Sequence, residues 1–136
     1  MITPDLIIAM VAKRTGVSVA DLLGRSRVGR LPVVRGVAMY LVRKDARDVM
    51  GEPFSYPVIG RIFHRDHATV INMACPKVGK IARRCRDNAA FAREVETMLT
   101  SNDALELLAV AEQVQAARQL YDLDIMDNSE GIGCRA

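Results

Sequence analysis

The chain has 136 residues, of which 50% are hydrophobic, 26% charged and only 4% aromatic, with no tryptophan. That is enough for one domain with an aliphatic core, which suits packed helices better than a β-sandwich, and no apolar run is long enough to cross a bilayer. The net charge of +3 hides a division: residues 1–86 hold 16 Lys/Arg against 6 Asp/Glu (+10), and residues 87–136 hold 3 against 10 (−7). A basic first part favours a polyanion such as nucleic acid; an acidic second part avoids it and is free to meet something else.

In chain order, Thr3-Pro4-Asp5 is a helix start: a hydroxyl cap, proline at the first helical position and an acid in the first turn. Leu6, Ile7, Met10 and Val11 repeat at helix spacing up to Gly16. Ser18-Val-Ala-Asp21 is a capping box, opening a short helix that Gly24 ends. Residues 24–32, "GRSRVGRLP", are a basic, Gly-containing connector. Pro32 starts a third helix with Val34, Val37, Ala38, Leu41 and Val42 inward. "DVMGEP" reads as a loop. Ser55 caps a fourth helix carrying Val58, Ile59, Ile62 and Phe63. After a break at His64-Arg65, Asp66 caps a fifth, with Val70, Ile71 and Ala74 inward. Pro76 predicts a stop or kink, because proline removes a helical hydrogen bond and clashes with the preceding turn.

Residues 77–86 read as a basic helix, and Asn88 as the cap of another reaching to about residue 99. Residues 101–103 cap a longer one, with Leu107, Val110, Ala111, Val114, Ala117 and Tyr121 on one face. That stripe suits a core, a dimer seam or a return onto residues 3–15, and its pattern does not choose. The last fifteen residues lack periodicity and are expected to be flexible. The expected division is therefore a basic helical domain over 1–86, an acidic helical extension over 87–121 and a tail over 122–136, in an all-α chain.

The three cysteines, Cys75, Cys85 and Cys134, are spaced unlike any zinc module and read as reduced thiols in a cytosolic protein. The N-terminus lacks the basic region and cleavage site of a signal peptide. No phosphate-cradling G-x-x-x-x-G-K-[ST] occurs, so no nucleotide, and no other cofactor, is expected.

The polar knot in "IGRIFHRDHATVI", residues 59–71, carries the functional question. Two helices around a short break make a helix-turn-helix, whose second helix sets its first turn against base edges in the major groove. Asp66 could accept from a cytosine amino group and Ala68 could lie against a thymine methyl, while Thr69 and the free N–H groups of the helix start could hold a phosphate. A metal pair of His64 and His67 is a weak match, lacking further ligands at close spacing. A triad lacks a nucleophile turn. Asp66 as a mere cap, with His67 merely covering the core edge, stands about even with DNA reading on periodicity alone.

"IGRIFHRDHATVINMACPKV" resembles the signature of the DnaA family of bacterial replication initiators. "GVSVADLLGRSR" and "VRGVAMYLVRK" resemble that family's preceding segments, so the likeness covers roughly residues 3–82. It implies a Trp-repressor-like helix-turn-helix bundle, here with a helical C-terminal extension, that binds double-stranded DNA at short asymmetric sites. By position, the resemblance implies that Arg27 enters the minor groove, that Asp66, His67 and Ala68 read bases, and that Arg35, Arg43, Pro57, Arg65 and Thr69 lie along the DNA backbone. It departs from the family in four places. A single His64 stands where the family has Gly-Gly, Ala68 replaces a hydroxyl residue, the loop before the fourth helix is longer, and Pro76 interrupts the last signature helix.

The function expected is a nucleoid-associated transcriptional regulator whose residues 87–121 contact RNA polymerase or a co-regulator. The alternative is a replication accessory at an origin or at DnaA boxes, of phage or prophage type. An enzyme is not expected, nor a metal or a membrane partner.

Overall fold

A computed structural model provides the fold, and residues 2–99 and 111–119 are described. Seven helices follow in order: α1 (Pro4–Thr15), α2 (Val19–Leu23), α3 (Leu31–Asp45), α4 (Tyr56–Phe63), α5 (His67–Ala74), α6 (Lys80–Asp87) and α7 (Ala89–Thr97). Residues 111–119 form a further helical stretch. The architecture is all-helical, and among the described residues the only β pairing is an isolated bridge from Arg47 to Pro53.

The helices start where local chemistry dictates. The side chains of Thr3, Ser18, Ser55, Asp66 and Asn88 each accept from a backbone N–H of the first turn that follows. Each bond satisfies a donor that a helix start would leave open, worth about 1 kcal/mol. Helix α5 stops at Ala74 because Pro76 forces the residue before it out of helical geometry; Cys75 is extended at φ −60°, ψ 124°. A turn over residues 76–79 then redirects the chain into α6. Here glycine is required: a Cβ at Gly79 would lie 2.7 Å from the backbone N and O of Cys75.

Helix α3 is the central element, contacting α1, α2, α4, α5 and α6. Its Val34, Val37, Ala38, Met39, Leu41 and Val42 are buried, in one core with Ile7, Ile8 and Val11 of α1, Leu22 and Leu23 of α2, Ile59 and Phe63 of α4, and Val70 and Ala74 of α5. The core does not stop at residue 86, where the charge changes sign. Helix α6 crosses that boundary, Val95 of α7 is 2% exposed and Val114 is fully buried in the same cluster. Arg118 pairs with Asp5 at the start of α1. Of the arrangements open to the amphipathic stripe, its described part takes the return onto α1. Ala111, Val114 and Ala117 face the core, while Leu107, Val110 and Tyr121 lie outside the described residues.

One expected DNA contact belongs to the fold instead. Arg35 is 3% exposed. Its Nε donates to the Leu22 carbonyl at 2.9 Å, and its Nη2 donates to the carbonyls of Asp21 at 2.7 Å and Ser26 at 3.0 Å. The reading of Arg35 as a DNA-backbone residue is therefore corrected. Its position on α3 points the guanidinium at the end of α2 and the root of the connector, where a planar fork of donors can hold several carbonyls at once.

Two stability predictions follow from this packing. Arg35→Ala is expected to cost about 3 kcal/mol, because charge-assisted bonds are lost and buried carbonyls are left open. Arg35→Lys should recover little of it, since one ammonium cannot span the same acceptors. Urea unfolding followed by circular dichroism measures both; a loss below about 0.5 kcal/mol for the alanine variant would refute the clamp. Gly60→Ala should cost about 1–3 kcal/mol, since its Cβ would lie 2.4 Å from the carbonyl oxygen of Arg65, which is backbone and cannot step aside.

Candidate nucleic-acid interface

The helix-turn-helix consists of α4, the turn His64-Arg65-Asp66 and α5. The turn is tight. His64 caps α4 in the left-handed region at φ 58°, ψ 43°, the only non-glycine residue with positive φ among those described. This is the place where the resembled family carries glycine, and the histidine takes the same conformation at a steric cost that the surrounding packing must offset. The backbone N–H of Arg65 donates to the Gly60 carbonyl at 2.8 Å. The turn is one residue shorter than the family pattern, yet α5 still begins at His67 with Asp66 as its cap.

Asp66, His67, Ala68 and Thr69 are all exposed, while the next residue, Val70, is fully buried. The first turn of α5 thus projects past the packed body and its second turn anchors it. Asp66 Oδ1 accepts from the Thr69 backbone N–H at 2.8 Å. That bond first, then one from the Thr69 hydroxyl, holds the Asp66 carboxyl below its ordinary range, with a smaller contribution from the nearby His67. The group stays ionised and acceptor-only at neutral pH. Capping does not exhaust the carboxylate, because one oxygen caps while the exposed group retains acceptor capacity.

The connector between α2 and α3 is the second element. Arg25, Ser26, Arg27, Val28, Gly29 and Arg30 are exposed, yet their backbone is held. Ser26 Oγ accepts from the Val28 N–H at 3.3 Å, the Val28 carbonyl accepts from the Leu31 N–H at 3.2 Å, and the Arg30 guanidinium donates to the Thr15 carbonyl. Arg27 therefore stands on an ordered turn with its side chain outward.

The remaining expected backbone residues divide. Pro57 and Thr69 are exposed at the starts of α4 and α5. Arg43 is partly buried: Nη1 donates to the Phe54 carbonyl at 2.7 Å, and the guanidinium lies 4.5 Å from the centre of the Tyr56 ring. Arg65 turns back onto the protein. Its Nη1 donates to the carbonyls of Phe63 at 3.3 Å and His64 at 3.2 Å, and its Nη2 to the Gly24 carbonyl at 2.9 Å. That last bond spans 41 residues of sequence and leaves no trace in any local pattern.

The longer loop before α4 is ordered too. Asp48 Oδ1 accepts from the N–H groups of Met50 and Glu52 at 2.8 and 2.9 Å, closing a turn whose tip carries exposed Val49 and Met50. Among the described residues no three His, Cys, Asp or Glu side chains gather as a metal group, and no helix is long and apolar enough to cross a membrane.

Comparison with known proteins agrees with this geometry. A chromosomal replication initiator protein DnaA of Picosynechococcus sp. is 39% identical over 79 residues, covering 57% of this chain and 16% of that protein. The DnaA of Tropheryma whipplei strain Twist is 43% identical over 70 residues, covering 52% and 13%. The DnaA 1 protein of Chlamydia pneumoniae is 33% identical over 114 residues, covering 83% and 24%, so this likeness runs past α5 into the extension. The chain spans no more than about a quarter of the length of any of these relatives. No solved structure matches it. The family described as the bacterial dnaA protein helix-turn-helix matches residues 4–78, more than half the chain and all of α1 through α5. With its turn, its projecting α5 edge and its basic connector in place, the chain belongs to the bacterial DnaA helix-turn-helix family and carries that family's DNA-binding unit.

Proposed function

We propose that this chain is a sequence-specific reader of double-stranded DNA that regulates transcription by occupying its sites. The observation that carries this reading is the exposure of Asp66, His67, Ala68 and Thr69 on a helix start whose next residue is locked in the core. A rigid helix presenting polar side chains from its first turn fits the major groove, which is wide enough for a helix and displays a distinct donor and acceptor pattern for each base pair. Asp66, His67 and Ala68 read base edges, and Arg27 enters the adjacent minor groove, whose negative potential attracts a guanidinium. Pro57 and Thr69 lie along phosphates, with Arg43 at the entry to α4, on the Phe54 carbonyl and the Tyr56 ring. The chain acts by binding and not by chemistry, in association with the nucleoid.

The extension supports a second contact. Asp87, Glu94, Glu96 and Glu112 are exposed. Residues 87–136 carry 10 Asp/Glu against 3 Arg, and an acidic extension on a DNA reader is repelled by the duplex and is left to a protein, such as RNA polymerase or a co-regulator. A replication role is favoured by a different observation: the relatives are named chromosomal replication initiators. In that reading the chain is an accessory that occupies DnaA boxes.

Mapping the protein on DNA in its own cell by crosslinking and sequencing separates the two. Sites upstream of genes whose expression changes on its removal are expected; sites confined to a replication origin would replace regulation with the replication role. In vitro, His67→Ala should lower affinity for a selected site by roughly 5–100-fold, the scale of one lost base contact, and leave random duplex almost unaffected. Equal losses on both would remove His67 from the reading edge. Asp66→Asn should keep the helix cap and the melting temperature, because asparagine caps as well as aspartate, while changing which base is preferred opposite it. A selection experiment returning the wild-type site for this variant would reduce Asp66 to a cap.

A further inference from the structure

We propose that Arg65 is a positioning residue that fixes the spacing between the two DNA-reading elements, rather than a phosphate contact. The inference rests on the two-element reading proposed above and adds the part that joins them. Arg65 stands in the turn between His64 and Asp66, immediately before the projecting edge of α5. Its Nη2 donates at 2.9 Å to the carbonyl of Gly24, which is buried at the end of α2. Arg27 lies three residues further along.

Both ends of this strut are held. At the turn, the Arg65 N–H donates to the Gly60 carbonyl, its own carbonyl packs against Gly60 with no room for a Cβ, and Nη1 donates to the carbonyls of Phe63 and His64. At the connector, the Gly24 N–H donates to the Asp21 carbonyl at 3.3 Å, and Arg35 from α3 holds the Ser26 carbonyl. From Asp66 to Arg27 the path therefore runs through one guanidinium and a short clamped segment. Few free torsions lie between the residue that reads the major groove and the residue that enters the minor groove.

A rigid link of this kind sets a register. One base pair moves a contact by about 3.4 Å along the duplex and turns it by roughly a tenth of a helical turn. Two readers joined rigidly cannot follow that displacement, whereas two readers joined loosely can. Loss of the strut should therefore do two things together: weaken the best site, because the arm must now be ordered on binding, and blunt the penalty for wrong spacing.

The test begins with the full chain and a site selected from random duplex, then inserts or deletes one base pair between the segment facing α5 and the segment facing the connector. Dissociation constants are measured for wild type, Arg65→Ala and Arg65→Lys at several salt concentrations. Wild type should lose roughly tenfold or more on the shifted sites, the scale of a mismatched base pair. Arg65→Ala should bind the best site more weakly yet distinguish the spacings by less than about threefold, with the salt dependence unchanged. Arg65→Lys keeps the charge but not the fork that holds three carbonyls, so it should share the relaxed spacing and serve if the alanine variant does not fold. A full spacing penalty in either folded variant overturns the proposal. So does a salt slope lowered by about one in Arg65→Ala, which is the mark of a lost phosphate contact. If wild type selects no site at all, the reading on which the proposal rests falls first, and the strut with it.

Discussion

The structure depends on guanidinium groups that donate to main-chain carbonyls. The connector between α2 and α3 and the turn between α4 and α5 cannot satisfy their own backbone groups as a helix does. Left open, the buried carbonyls there would cost about as much as the loops can spare. Arg35 and Arg65 fill that need from opposite sides, one from the central helix and one from within the turn itself. Arg43 does the same at the entry to α4. A planar, always-charged fork is the side chain best suited to this work, because it reaches far and meets several acceptors at fixed angles.

This changes the meaning of the positive charge. An excess of cations in residues 1–86 points to a polyanion, but part of it is turned inward. What remains outward includes Arg27 with its neighbours on the connector, Lys13, Arg14, Lys44, Arg61 and the exposed cations of the 77–86 segment. The division is functional in consequence. Cations facing solvent attract DNA from a distance and without regard to sequence, whereas those facing carbonyls stiffen the surface that carries them.

Helix boundaries were legible because caps are local: Thr3, Ser18, Ser55, Asp66 and Asn88 announce themselves within four residues. The exposed first turn of α5 is legible for a similar reason, since a cap followed by polar residues and then an apolar stripe leaves only that turn free. Arg35 was not legible. It and Arg27 are arginines in one basic run, and only the packing of α2 on α3 decides which points inward. The Arg65–Gly24 bond was hidden for the same reason. The division at residue 86 followed charge, which describes surfaces, while Val95 and Val114 follow the core, which ignores them. Pro76 marks the interruption in the sequence itself, but the new direction of α6 comes from Gly79 and its close backbone approach.

The pairing of Arg118 with Asp5 also bears on how the chain reaches this state. Most contacts that build α1 through α7 join neighbours in sequence, and such contacts form quickly. The return of residues 111–119 onto α1 closes a loop of more than a hundred residues. The entropy of that closure grows only logarithmically with length, yet it must be met before Val114 gains anything from burial. Docking of this last helix is therefore the natural late step in folding. In a chain emerging from the ribosome, α1 through α7 can assemble while residues 111–119 are still being made.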